Sequence, residues 1–87
     1  ITIRKGAPFS RTDMQVFLEE RNIQTRVVFT GNIIRQPGFK NINMKVDKRG
    51  YPESDRVMKN GILIGCHQGL KNKEIDYVFK CLKSFLK

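Results

Sequence analysis

TRVVFTGNIIRQP, residues 25–37, changes character halfway along. Val27, Val28 and Phe29 are β-branched or aromatic side chains that fit a pleated, half-buried surface, so the first half predicts a strand. Gly31 and Asn32 tolerate positive φ and break that run, and the chain leaves the sheet there. Beyond the break come Asn32, Arg35 and Gln36, a dense group of hydrogen-bonding side chains on a loop just past a strand end. A rigid scaffold commonly presents binding groups at such a place.

Working back toward the start, residues 1–4 alternate apolar and polar with period two, which predicts a short strand with Ile1 and Ile3 on its buried face. Gly6 and Pro8 end it. Thr12-Asp13-Met14-Gln15 has the form of a capping box, and Met14, Phe17 and Leu18 then fall on one face of a helix running to about Asn22. Working forward, residues 30–51 sustain neither a helical nor a strand period. Their apolar members Ile33, Ile34, Phe39, Ile42, Met44 and Val46 nonetheless argue against simple disorder and call for a cover. Asp47-Lys48-Arg49-Gly50 has the chemistry of a turn.

Pro52 to Asn60 predicts a short helix with proline in its first turn, Glu53 and Asp55 at the positive end of its dipole, and Gly61 just past its end. Val57 and Met58 are its expected buried contacts. Ile62-Leu63-Ile64 reads as a third strand buried on both faces, and Asn72 as the cap of a last helix on which Ile75, Val78, Phe79, Leu82, Phe85 and Leu86 keep helical spacing. The expectation is a single α+β domain, 1–87. It has a small three-stranded, mainly antiparallel sheet with helices on one face and nothing obvious on the other.

Seventeen Lys and Arg against eight Asp and Glu give a net charge of +9, which admits nucleic acid as a partner. The excess is spread evenly, ten basic and four acidic side chains in residues 1–50 and seven and four in the rest. No strand carries the aromatic pattern of sheet-based RNA readers, so nucleic acid stands as the alternative of another class. No run approaches the length of a membrane span, and no apolar signal segment opens the chain, so a soluble, cytoplasmic protein is expected. Cys66 and Cys81 lack metal-ligand spacing and are expected to be reduced core thiols. His67 beside Cys66 reads as a polar loop residue or a substrate contact, since neighbours on an extended segment point to opposite faces. The spacing assembles no catalytic constellation and no metal site. Within the loop, Arg35 offers a planar fork for phosphate or carboxylate, and Asn32 and Gln36 offer donors and acceptors suited to sugar hydroxyls.

TRVVFTGNIIRQPGF, followed by SDRVMKNGILIGCHQGLKNKEIDYVFKCLKSF, resembles the C-terminal segment of the DegT/DnrJ-type sugar aminotransferase family. It is most similar to the branch of nucleotide-hexulose 3-dehydrases of lipopolysaccharide O-antigen synthesis. Residues 1–26 extend the resemblance to essentially the whole chain. Gly31, Asn32, Arg35, Gln36 and Pro37 match the motif that separates this branch from the aminotransferases, while His67-Gln68-Gly69-Leu70 departs from the family's usual aromatic- or histidine-proline turn.

The resemblance implies the small domain of a fold-type I pyridoxal-phosphate enzyme, cut from a longer, homodimeric parent that acts on a nucleotide sugar: a CDP-4-keto-6-deoxyhexose 3-dehydrase, with a pyridoxal-phosphate-dependent sugar-nucleotide aminotransferase as the alternative. It implies pyridoxal or pyridoxamine phosphate in the large domain and, in some dehydrases, an iron–sulfur cluster there. No cofactor is expected on these residues, and no catalytic residue. Asn32, Arg35, Gln36 and His67 are the substrate-binding candidates.

Overall fold

The computed structural model describes residues 1–87. Helix α1 spans Arg11–Glu19, strand β1 Thr25–Val27, helix α2 Pro52–Asn60, strand β2 Ile62–Ile64 and helix α3 Asn72–Phe85. Two 3-10 turns, Ile33–Arg35 and Pro37–Phe39, lie between β1 and α2. The sheet has two strands rather than three. β1 and β2 pair antiparallel with Thr25 opposite Ile64, Arg26 opposite Leu63 and Val27 opposite Ile62. The segment expected to form the first strand makes only a single bridge, Thr2 to Gly61. The Ile62 amide donates to the Ile1 carbonyl at 2.8 Å and the Ile3 amide to the Asn60 carbonyl at 3.0 Å. Gly6, at φ +84°, turns the chain away before a ladder can extend.

Apolar packing lies on one side of this sheet. Leu18 and Met14 of α1, Cys81 of α3, Ile3, Ile23 and Ile62 form the core, with Leu18 and Ile62 fully buried. Phe85 closes it from α3, its ring 4.8 Å from Phe9 and 4.9 Å from Phe17. Arg26 and Leu63, opposite each other, are exposed on the other side, so β2 is covered on one face and not on both. The buried Thr25 is satisfied by Glu19, which accepts from its amide at 2.7 Å and its hydroxyl at 3.0 Å. That single carboxylate ties the end of α1 to the start of β1.

Several local expectations shift. α1 is capped by Ser10, not Thr12: the Ser10 hydroxyl accepts from the Asp13 amide and the Asp13 carboxylate from the Ser10 amide, so the box closes two residues earlier. Either spacing satisfies the pattern, and the earlier one adds about half a turn of helix. β1 begins at Thr25 and ends before Phe29, which is 90% exposed, because its register is set by pairing with β2 rather than by its own apolar run. Ile1 is half-exposed, Val57 and Met58 are half-buried, and Cys66 is exposed. At the start of α3 the Glu74 carboxylate accepts from the Lys71 amide, which makes Lys71 the cap residue and Asn72 the first helical one. The predicted bounds of α2 and β2 hold to the residue. No helix is long and apolar enough to cross a membrane.

The radius of gyration is 16.1 Å and the extents are 49 × 31 × 18 Å. A compact chain of this length has a radius near 12 Å. One thin layer of helices over a narrow sheet leaves large apolar side chains exposed, among them Phe29, Phe79 and Leu86.

Candidate functional site

Past Val27 the backbone enters left-handed geometry twice, at Thr30 with φ +67° and at Gly31 with φ +61°. Gly31 is required at its position: a Cβ there would lie 2.3 Å from the Cβ of Met58 and 2.7 Å from its Cα, so only glycine lets the loop lie directly on α2. The loop then folds into its two 3-10 turns, the second opened by Pro37. The Gln36 carboxamide donates to the Thr30 carbonyl at 2.9 Å and closes the first turn on itself.

Asp55, in the first turn of α2, holds this loop. Its Oδ1 accepts from the Asn32 carboxamide at 2.8 Å and from Arg35 Nε, and its Oδ2 accepts from Arg35 Nη2 at 2.8 Å. The Asn32 carbonyl oxygen in turn accepts from the Ile34 amide at 3.3 Å. Asn32 is 3% exposed and uses both ends of its carboxamide inside the loop, whereas the Arg35 side chain is 57% exposed. The hydrogen bonds from Arg35, then that from Asn32, hold the Asp55 carboxyl below its ordinary range, and Asp55 in turn raises Arg35. Both groups are ionised at neutral pH.

The structure thus brings three of the four candidates together and leaves His67 apart. β1 and β2 are antiparallel, so the loop after Val27 leaves beside Ile62, while His67 follows Ile64 beside Thr25 at the other end of the sheet. His67 is exposed, and its Nδ1 accepts from the Gly69 amide at 3.1 Å. Asp55 was legible in the sequence only as a dipole partner of α2. Its pairing with Arg35 spans twenty residues, and no local spacing announces it.

A groove of about 630 Å³ runs beside the loop, lined by residues 30–34 together with Met44, Lys45, Tyr51 and Ser54. Its far wall is set by the turn before α2, in which the Gly50 amide donates to the Asp47 carbonyl at 2.9 Å and the Tyr51 hydroxyl accepts from the Asp47 amide at 3.2 Å. Ile34 and Ser54 on its wall are the chain neighbours of Arg35 and Asp55. Lys45 is the one charged side chain lining it. A mixed lining of this kind, apolar with a few hydroxyl and cationic groups, suits a polar organic ligand better than a metal ion. No cluster of three metal-ligating side chains exists in the chain.

The fold defines a small α+β domain in which one loop both carries a half-exposed guanidinium and lines an open groove with its residues 30–34. The chain belongs to the DegT/DnrJ/EryC1/StrS aminotransferase family, whose model matches residues 1–83. It is 35% identical over 85 residues to the lipopolysaccharide biosynthesis protein RfbH of Salmonella typhimurium, covering 98% of this chain and 19% of that protein. It is 36% identical over 86 residues to the dTDP-4-dehydro-2,6-dideoxy-D-glucose 3-dehydratase of Saccharopolyspora spinosa, covering 99% of this chain and 18% of that one. The chain therefore spans about a fifth of the length of the curated relatives it matches.

Proposed function

We propose that this chain is the C-terminal small domain of a nucleotide-sugar 3-dehydratase in lipopolysaccharide O-antigen biosynthesis. The parent is a homodimeric pyridoxal- or pyridoxamine-phosphate enzyme acting on a nucleotide-linked 4-keto-6-deoxyhexose. Both relatives support the class by name, one in lipopolysaccharide biosynthesis and one a 3-dehydratase of a dTDP-linked keto sugar. The observation that carries the reading to a site is the half-exposed Arg35 fork, held by Asp55 on the loop whose preceding residues, 30–34, line the groove.

In this reading the groove receives the sugar nucleotide. Arg35 faces an anionic oxygen, Gln36 keeps its carbonyl oxygen available to a hydroxyl, and Asn32 lies beneath them as the support of the loop. His67 stays outside the groove.

The residues present do not form a cradle for pyridoxal phosphate. Such a site takes a cluster of donors for the phosphate and, where the aldehyde form is held, a lysine. No lysine here is buried, two donors of the Arg35 fork are engaged by Asp55, and no buried side-chain donor or acceptor lacks a partner. A four-cysteine iron–sulfur site likewise needs more than Cys66 and Cys81. Cofactor chemistry therefore belongs to the rest of the parent, and these residues bind and orient.

The test is product analysis with the full-length enzyme and a nucleotide-linked 4-keto-6-deoxyhexose. Mass spectrometry and NMR are expected to show loss of the 3-hydroxyl and no new carbon–nitrogen bond in the released sugar. A stable amino sugar as product would instead make the parent an aminotransferase.

A further inference from the structure

We propose that Asp55 is a positioning residue for the loop arginine: it clamps one edge of the Arg35 guanidinium so that the opposite edge is held out for the diphosphate of the nucleotide sugar. The inference rests on the substrate class proposed above. It goes beyond that reading by assigning a role to a residue that makes no contact with substrate.

A guanidinium carries five N–H donors in one plane. Asp55 takes Nε–H and one N–H of Nη2, which leaves three donors on Nη1 and Nη2, on a side chain that remains 57% exposed. An unrestrained arginine gives up rotamer freedom when it grips an anion. One that is already held gives up less, so more of the contact energy appears as affinity. The clamp is itself rigid on both sides. Asp55 projects from a helix that opens with Pro52, and Asn32 fixes the same Oδ1 from the loop, with Gly31 seated on Met58 behind it.

A carboxylate paired with the arginine that grips a diphosphate also repels that diphosphate. The two effects oppose each other, and a neutral isostere separates them. If positioning dominates, removing the charge of Asp55 weakens substrate binding. If repulsion dominates, it strengthens binding.

The experiment measures KM and kcat of the full-length enzyme for its nucleotide sugar in Asp55→Asn, Arg35→Ala and the double variant. Arg35→Lys is added as a change at an exposed side chain, which keeps the charge and loses the fork. Asp55→Asn is expected to raise KM about tenfold, within the range that coupled pairs show, with kcat within about twofold. In the Arg35→Ala background the same change should add almost nothing. Arg35→Lys should raise KM in the same direction.

A KM that is unchanged or lowered in Asp55→Asn overturns the proposal. So does an effect of equal size in both backgrounds, which is what a merely structural role would give, and so does an unchanged KM in Arg35→Lys. Any of these results in an enzyme that turns over the nucleotide sugar leaves the proposed function standing. A wild-type enzyme that turns over no nucleotide sugar overturns that function, and this inference with it.

Discussion

The half of the molecule built on α1 and α3 is held by apolar burial, and the half built on the loop and α2 is held by hydrogen bonds to one carboxylate. In the first, Leu18 and Ile62 have no exposed surface and three phenylalanine rings, Phe9 and Phe17 each against Phe85, pack against the core. In the second, α2 and both 3-10 turns bury no side chain, and the deepest residue of the loop is the carboxamide of Asn32. Burial is non-directional and tolerates small displacements, while a bidentate ion pair fixes an angle. A scaffold benefits from the first property and a binding loop from the second. Joining them, Arg11 at the start of α1 donates to the carbonyl of Met58 near the end of α2.

The largest effect should come from the apolar half. Leu18→Ala removes a fully buried side chain from a six-residue core, at a cost of roughly 2–5 kcal/mol. A domain of this size has only about 5–15 kcal/mol in all and commonly sits at the lower end, so thermal unfolding followed by circular dichroism should shift down by about 10 °C or more. A shift of only about a degree would mean that the core contributes less than the loop latch, and the contrast between the halves would be reversed.

Gly31→Ala probes the other half and should come second. It places a Cβ against the backbone of α2 at a residue with positive φ, which together should cost roughly 2–4 kcal/mol. The loop must lift from Met58 to relieve the contact. Hydrogen exchange is therefore expected to accelerate at the loop amides and in α2 while α1 and α3 keep their protection. Equal acceleration in all three helices would show that the two halves open as one unit.

The same contrast explains what could be read from the chain. α2 and β2 were legible to the residue because their signals are local: Pro52 opens the helix, Glu53 and Asp55 suit its first turn, Gly61 stops it, and Ile62-Leu63-Ile64 follows at once. α3 was legible from the spacing of its apolar residues. The limits of β1 were not, because Val27-Val28-Phe29 is the better strand by propensity, whereas pairing with β2 selects Thr25–Val27. Ser10 and Thr12 each begin an acceptable capping pattern, and composition does not choose between them. In the loop, the cluster of Asn32, Arg35 and Gln36 was visible as chemistry. Its organiser, Asp55, was not, since an ion pair across twenty residues of irregular chain leaves no period in the sequence.

The smallest expected effect, and the sharpest test of the contrast, is its behaviour in acid. Each half contains one carboxylate held below its ordinary range: Asp13, by the backbone and then the hydroxyl of Ser10, and Asp55, by Arg35 and then Asn32. A folded-state value below the unfolded one means that each contributes stability in full above the ordinary carboxylate range of about 4. That contribution is lost as pH falls through the lowered folded value. The consequences of losing it differ. Protonating Asp13 opens a helix cap on α1, which Met14 and Leu18 still hold in the core. Protonating Asp55 releases Asn32 and Arg35 together from a loop with no buried apolar side chain to keep it in place. In a titration from pH 6 to about pH 2, followed by amide chemical shifts, the signals of residues 31–36 should report one shared transition. The amides of α1 and α3 should keep their dispersion through it. Asp55→Asn should abolish the transition in the loop and leave that of Asp13 unchanged. If α1 loses its dispersion in the loop's transition, and Asp55→Asn abolishes that loss as well, the polar latch and the apolar core are not separable supports.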